Sequence, residues 1–175
     1  MIKGLFTAAV LGALSTLPSF VAAAETRTLF RKGSWQVKVV AFDDAQIKCE
    51  AQVVNGNSSF SIWADGINAA RLQFYDRDWT LGQGSADVIV RIDRRPKWDL
   101  SNARLNKQSV LFDLPNDRDG NRFIGEVRNG RVVYLGSAGG REVGRWSLSG
   151  SSAAVGALID CVDLIRDRGD GNPFN

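Results

Sequence analysis

The chain contains no histidine, and this absence excludes several kinds of active site. Ser-His-Asp and Cys-His catalysis both need an imidazole to accept the proton of the nucleophile. Histidine is also the commonest metal ligand, and two cysteines without it do not make an ordinary zinc site. We therefore expect no metal or cofactor and no enzymatic activity. A hydrolase with paired carboxylates, such as Asp93 and Asp99, is the alternative, because the chain has 19 acidic residues.

Cysteine is scarce as well, with only Cys49 and Cys161 in the chain. Two thiols in one small exported domain usually form a single bridge in an oxidising compartment. The alternating pattern around Cys49 places it on the apolar face of a strand, and helical spacing places Cys161 on an apolar stripe. The sequence therefore predicts a Cys49–Cys161 disulfide, with two buried free thiols as the alternative.

Long apolar runs are limited to the start of the chain. Lys3 precedes an apolar stretch over residues 4–21, Pro18 interrupts it, and small residues follow up to Ala24. This is the pattern of a secretory signal peptide, and the stretch is short for a transmembrane anchor. We expect residues 1–24 to be removed and the product to be periplasmic or secreted, with no later membrane span.

Neither positive nor negative charge is strongly in excess. The net charge is +3, and arginine and aspartate are closely interleaved, which argues against a nucleic-acid partner. No linker divides the rest of the chain. We expect one β-rich domain over residues 25–166 and a flexible tail over residues 167–175, which is rich in glycine, aspartate and asparagine.

Alternation of apolar and polar residues indicates many short strands. The clearest runs are residues 34–42, 47–53, 58–64, 86–93, 109–112, 131–135 and 143–148. Asn55-Gly56 predicts a tight hairpin, with these two residues at the centre of a type I′ turn. We interpret residues 25–32 as a polar leader, residues 82–84 as a turn, residues 99–112 as less regular and residues 115–121 as a loop. Residues 123–127 are interpreted as a short helix, with a strand as the alternative.

One convincing helix is predicted to begin at Ser149-Gly150-Ser151, where a serine oxygen can accept free amide protons. Ala154, Leu158, Val162 and Ile165 form its apolar stripe. The predicted fold class is therefore α+β, mainly antiparallel β in a sandwich-like or curved sheet, with one C-terminal α-helix packed on the sheet.

Tryptophan and a basic cluster mark the candidate binding surface. Five tryptophans are many for this length, and Arg94, Arg95 and Lys97 lie beside one of them. Core packing and an exposed strand end are the alternative interpretations of these residues. A groove lined by tryptophan could hold a ligand. The candidate surface comprises Trp63, Trp79, Arg94, Arg95, Lys97 and Trp98.

The two ends of the predicted domain resemble one known family. Gly33-Ser34-Trp35-Gln36-Val37 is followed by a cysteine strand, Ile47-Lys48-Cys49-Glu50, and Trp146-Ser147-Leu148-Ser149-Gly150-Ser151 leads into an alanine-rich helix. This layout resembles the exported invasion-associated locus B-like proteins of bacteria. The resemblance implies a periplasmic or secreted β-sandwich-like protein linked to the envelope or to host interaction, with no known catalytic residues.

These observations favour non-catalytic binding in the bacterial envelope or outside the cell, with a protein or an envelope polymer as the partner. Two alternatives stay open. One is an exported inhibitor of a lysozyme or protease that presents the loop Gly136 to Arg141. The other is the carboxylate-dependent hydrolase. The sequence does not indicate the oligomeric state.

Overall fold

The computed structural model describes residues 25–44, 46–67 and 70–169, so the predicted signal peptide and residues 170–175 lie outside the described residues. Ten strands and two helices form within these ranges. They are β1 (Glu25–Lys32), β2 (Trp35–Ala41), β3 (Ile47–Asn55), β4 (Ser58–Ala64), β5 (Arg71–Asp76), β6 (Leu81–Ile92), β7 (Trp98–Lys107), β8 (Ser109–Asp113), α1 (Arg118–Asn129), β9 (Val132–Ser137), β10 (Glu142–Ser147) and α2 (Ser151–Gly169).

The ten strands form one open antiparallel sheet in the order β1-β2-β3-β4-β5-β8-β7-β6-β9-β10. The first five strands follow one another in space as they do in sequence. The next three run in reverse order, so that β8 lies beside β5 and β6 lies beside β9. The predicted fold class is confirmed, including the C-terminal helix on the sheet.

The predicted hairpin after β3 is confirmed, although its turn is displaced by one residue. Asn55 pairs with Ser58, so the two central residues are Gly56 and Asn57. Only Gly56 has a positive φ, of 59°. A type I′ turn needs positive φ at both central residues, whereas type II′ needs it only at the first. The turn therefore follows the type II′ pattern, which places glycine first.

Three strand boundaries differ from the sequence-based expectations. The predicted leader over residues 25–32 is the edge strand β1, and it is almost wholly exposed, so no apolar alternation marks it. The predicted turn at residues 82–84 is the start of β6, where register shifts relative to β7 accommodate two glycines. The less regular region before β8 contains all of strand β7 except its first residue, Trp98.

The helix predicted over residues 123–127 is longer than expected and replaces part of the predicted loop. The carboxylate of Asp117 accepts hydrogen bonds from the backbone N–H groups of Asp119 and Gly120 at 2.8 and 3.0 Å. This cap starts α1 at Arg118. Phe123 and Val127 are fully buried on its inner face. The predicted loop over residues 115–121 therefore contains the cap and the first turn of α1.

Both helices pack on the same side of the sheet as the apolar side chains of the strands. Trp35, Phe60, Phe74 and Trp146 are among the largest fully buried side chains of this core. Helix α2 contacts β1, β2 and β3, and it also contacts α1. The hydroxyl of Ser151 donates to the carbonyl of Val127 at 2.7 Å, so this serine joins the two helices. This bond differs from the sequence-based prediction, in which serine oxygens here accept helix amide protons.

The predicted disulfide is confirmed. Cys49 on β3 and Cys161 on α2 are bonded, with their Cα atoms 6.1 Å apart and 112 residues apart in sequence. Both are buried, on the inner faces of their elements. The bridge therefore fixes the closing helix to an early strand.

The far end of the sheet curves back onto the β3–β4 hairpin. The indole N–H of Trp146 on β10 donates to the hydroxyl of Ser58 at 3.1 Å. The side-chain amide of Asn55 donates to the carbonyl of Arg145 at 3.3 Å. These two bonds join strands that lie far apart in the sheet order. The sheet is thus strongly curved without closing.

Helix α2 continues through Gly169 and so includes the first three residues of the expected tail. Arg166, in its last turns, donates to the carbonyl of Gly66 at 3.2 Å and lies 3.6 Å from the carboxylate of Asp163. The bond to Gly66 holds the end of the helix against the turn after β4. Within the described ranges, neither helix combines the length and apolar composition that a membrane crossing requires.

Removal of the disulfide should destabilise the protein markedly. For a loop of this length, the chain-entropy account gives about 4–5 kcal/mol, since the unfolded chain gains freedom without the bridge. We expect the Cys49→Ala/Cys161→Ala variant to show this loss in urea unfolding, and the wild-type protein in reductant to behave like it. Identical midpoints for the oxidised wild type and the variant would contradict a structural role for the bridge.

Candidate binding site

The outer face of the sheet, opposite the helices, carries a set of polar side chains that we call the polar face. It extends across β2, β3, β4, β5 and β8, where two complete cross-strand rows lie next to each other. The first row is Lys38, Glu50, Trp63, Arg71 and Asp113, and the second is Gln36, Gln52, Ser61, Gln73 and Leu111. Antiparallel neighbours in such rows are close enough to interact directly.

Glu50 is the most deeply placed charge of the polar face, with 3% of its surface exposed. Lys38 Nζ lies 2.7 Å from one of its oxygens, and the hydroxyl of Ser61 donates to the other at 2.7 Å. A buried carboxylate is tolerated only when it is paired and hydrogen-bonded in this way. Lys38 also donates to Gln52 at 3.1 Å, which connects the two rows.

The orientation of Trp63 is fixed by the second row. Its indole N–H donates to the side-chain carbonyl of Gln73 at 2.7 Å, and the amide of Gln73 donates to Ser109 at 2.8 Å. The ring of Phe42 lies against Trp63, with ring centroids 6.2 Å apart and planes at 47°. Two aromatic rings thus form a rigid corner at the edge of the polar face.

This corner opens onto a cleft of about 640 Å³, which we call the aromatic cleft. Its volume lies in the range of sites for small ligands. The residues around it come from the segment between β2 and β3, from strands β3, β4, β5 and β8, and from the position after β4. They are Phe42, Asp44, Gln46, Lys48, Trp63, Ala64, Asp65, Arg71, Gln73, Leu111 and Asp113.

The charges of the aromatic cleft are largely compensated within it. Arg71 forms a two-pronged pair with Asp113, and Lys48 Nζ lies 3.9 Å from Asp65. The third carboxylate, of Asp44, accepts from the backbone N–H of Gln46 at 3.1 Å. The cleft therefore presents donors and acceptors in fixed positions around an aromatic surface, with little net charge.

One wall of the aromatic cleft is held by helix α2. The turn after β4 contains Gly66, whose φ is +79°, and a Cβ atom there would lie 3.0 Å from Val162. Arg166 donates to the carbonyl of the same glycine. Because Lys48 and Ala64 line the cleft beside the disulfide-bonded Cys49, the bridge also supports this wall.

The structure distributes the predicted binding residues over separate places. Trp63 lines the aromatic cleft, whereas Arg94, Arg95 and Lys97 line a second depression on other strands. Trp79 is half-buried against the core. Trp98 packs edge-on against Phe123 and donates to Glu126 at 2.9 Å. The six predicted residues therefore do not share one surface.

Four residues around Trp63 were not predicted from the sequence. They are Phe42, Arg71, Gln73 and Asp113. Alternation predicts that Gln73 faces away from Leu72 and Phe74, but it does not show which strands are neighbours. The pairing of β5 with β8 brings Asp113 to Arg71 across 42 residues of sequence. Only the sheet order could reveal this cluster.

The two carboxylates of the hydrolase hypothesis, Asp93 and Asp99, each have a structural partner. Both oxygens of Asp93 accept the backbone N–H of Arg131, and one also accepts that of Val132. Asp99 pairs with Lys97 at 2.9 Å. No cluster of three or more histidine, cysteine or acidic side chains that could hold a metal occurs among the described residues.

The loop over residues 136–141, on which the inhibitor hypothesis depends, joins β9 to β10. The backbone N–H of Ser137 donates to the carbonyl of Arg141 at 2.9 Å, and that of Gly140 donates to the carbonyl of Ser137 at 2.8 Å. These bonds make it a short, closed turn.

Comparisons of the chain with protein-family models, curated proteins and solved structures found no match. They assign no family and no activity. The resemblance to the invasion-associated locus B-like proteins therefore stays a prediction.

Replacement of Glu50 should test the internal pairing of the polar face. Glu50→Ala leaves Lys38 without its carboxylate and Ser61 without its acceptor, so we expect a loss of about 3 kcal/mol in the free energy of unfolding. Glu142→Ala is the control, because the pair of Glu142 with Arg145 is exposed and should contribute less than about 1 kcal/mol. Equal losses of unfolding free energy in the two variants, measured by urea unfolding, would show that the buried pairing of Glu50 stabilises the protein no more than the exposed pair does.

Proposed function

We propose that this chain is an exported, non-catalytic binding protein of the bacterial envelope or the extracellular space, and that the aromatic cleft is its ligand site. The observation that carries the proposal is the Trp63 ring, fixed by Gln73 beside the Arg71–Asp113 pair. A fixed ring loses little conformational entropy when a ligand packs on it, which favours affinity.

The predicted export and the disulfide support the cellular context. A disulfide persists in the periplasm and outside the cell, whereas cytosolic thiols are kept reduced. The signal-peptide pattern of residues 1–24 points to the same compartments. The resemblance to the invasion-associated locus B-like proteins, if it reflects ancestry, agrees with a role at the envelope.

The chemistry of the aromatic cleft favours an envelope polymer with many hydroxyl groups, that is, a glycan, over a protein segment. Sugar rings present C–H faces to an aromatic ring and hydroxyl groups to the side chains around it. The aromatic cleft offers both kinds of contact, through Trp63 and Phe42 and through Arg71 and Asp113. Its nearly balanced charge suits a neutral ligand.

The carboxylates of the aromatic cleft support binding rather than hydrolysis. Glycoside hydrolysis needs two carboxyl groups facing one bond, one of them kept protonated as the acid. Here Asp113 is held by Arg71, Asp65 lies near Lys48, and Asp44 accepts a backbone N–H. These carboxylates serve as hydrogen-bond acceptors that are already positioned for a ligand.

Two matched substitutions test the role of the aromatic cleft. Trp63→Phe and Trp98→Phe each remove one indole N–H bond, to Gln73 and to Glu126 respectively. Only the first changes the cleft, so only it should weaken binding of soluble peptidoglycan fragments or a chito-oligosaccharide. We expect roughly a fivefold loss for Trp63→Phe, because the smaller ring is no longer held by Gln73 and must be ordered when the ligand binds, and a larger loss for Trp63→Ala.

Isothermal titration calorimetry with each probe gives the affinities. Tighter binding by the wild type than by Trp63→Phe, with Trp98→Phe unchanged, supports the proposal. Equal losses in both variants, or no binding of either glycan by the wild type, would contradict it. Glycan-degrading activity of the purified wild-type protein would favour the hydrolase alternative.

A further inference from the structure

A second depression, of about 700 Å³, lies on the outer face of β6, β9 and β10, and we call it the basic depression. Arg91 on β6 is opposite Tyr134 on β9, and Tyr134 is opposite Arg145 on β10, so the three form one cross-strand row. The guanidinium of Arg91 lies 5.3 Å from the centre of the Tyr134 ring. The row faces away from the core, because Ile92, Val133 and Trp146 point inward.

Positive charge dominates the basic depression. Arg94, Arg95 and Lys97 lie around the same row, whereas the carboxylates that line it, among the described residues, are those of Asp93 and Glu142. Glu142 forms an exposed pair with Arg145 at 3.7 Å. The oxygens of Asp93 are occupied by the backbone N–H groups of Arg131 and Val132. Its ability to compensate the surrounding cations is therefore reduced.

Among the described residues, two of these cations are not part of an ion pair. In the part of the chain that the structure describes, neither Arg91 nor Arg94 has a carboxylate within ion-pairing distance. Arg95 differs, because it donates to the carbonyl of Glu126 at 2.9 Å and so holds the end of α1. A concave surface lined by one sign of charge concentrates the field and attracts ligands of the opposite sign.

We propose that the basic depression binds an acidic polysaccharide through Arg91, Arg94 and Arg145. Guanidinium groups recognise carboxylates with two parallel hydrogen bonds. Arg91 and Arg145 lie on alternate strands, about 10 Å apart at the backbone. They therefore contact separate anionic groups, which favours a repeating polymer over a single small anion.

The shape of the surface and Tyr134 favour a polysaccharide among the polyanions. A polymer chain can enter a depression, whereas the plane of a bilayer cannot. Tyr134 lies on the row between the two arginines, where the sugar unit between two acidic groups would pass. The ring of Tyr134 is covered by Arg91, which leaves it poorly available for stacking of a nucleic-acid base.

This site is independent of the aromatic cleft, because no residue lines both. The experiment is a binding titration of the full exported protein with oligogalacturonate at low and at high salt. We expect Arg91→Ala/Arg94→Ala to lower the affinity at least tenfold, and binding of the wild type to weaken with salt as the charges are screened. Arg27→Ala, an exposed arginine on β1, should bind like the wild type.

Parallel titrations with single-stranded DNA, inorganic polyphosphate and anionic lipid vesicles distinguish other polyanions from the acidic polysaccharide. Binding of oligogalacturonate that depends on Arg91 and Arg94 and exceeds binding of these probes supports the proposal. Preference for DNA, polyphosphate or vesicles, an equal loss in Arg27→Ala, or no binding of oligogalacturonate at low salt would overturn it. Thermal unfolding of each variant verifies that the exposed substitutions leave the fold intact.

Discussion

The disulfide between Cys49 and Cys161 is the constraint on which most of the structure depends. It joins β3, which lies among the first five strands, to the helix that ends the described chain. Side chains alternate along a strand, so fixing Cys49 toward the helix directs Lys48 and Glu50 to the opposite face. The same covalent bond thus anchors the core and sets the orientation of the polar face.

The polar face in turn requires a single register of its five strands. A slip of one residue would turn Glu50 and Gln52 into the core and expose Ala51 and Val53. Because Glu50 is buried with Lys38 and Ser61, such a slip would also break a paired charge. The polar rows therefore add specificity to the apolar packing, and the position of Trp63 is one result of that specificity.

Local patterns in the sequence predicted much of the fold but little of the candidate site. Alternation located β2, β3 and β4, and helical spacing placed Cys161 inward, because these signals depend only on near neighbours in the chain. The exposed edge strand β1 and the glycine-bearing start of β6 lack that alternation. They were therefore misassigned.

The candidate site depends on pairing between distant strands, which no local pattern encodes. Arg94, Arg95 and Lys97 are adjacent in sequence, so the sequence identified part of the basic depression. It missed Tyr134 and Arg145, which reach that depression through the strand order β6-β9-β10.

The most direct test of the central constraint is mass-spectrometric peptide mapping, without reduction, of the protein recovered from the host's periplasm or medium. We expect a linked peptide pair that contains Cys49 and Cys161, and a first residue near Glu25. Two freely alkylated thiols would contradict the disulfide, and a retained leader would contradict the proposed export.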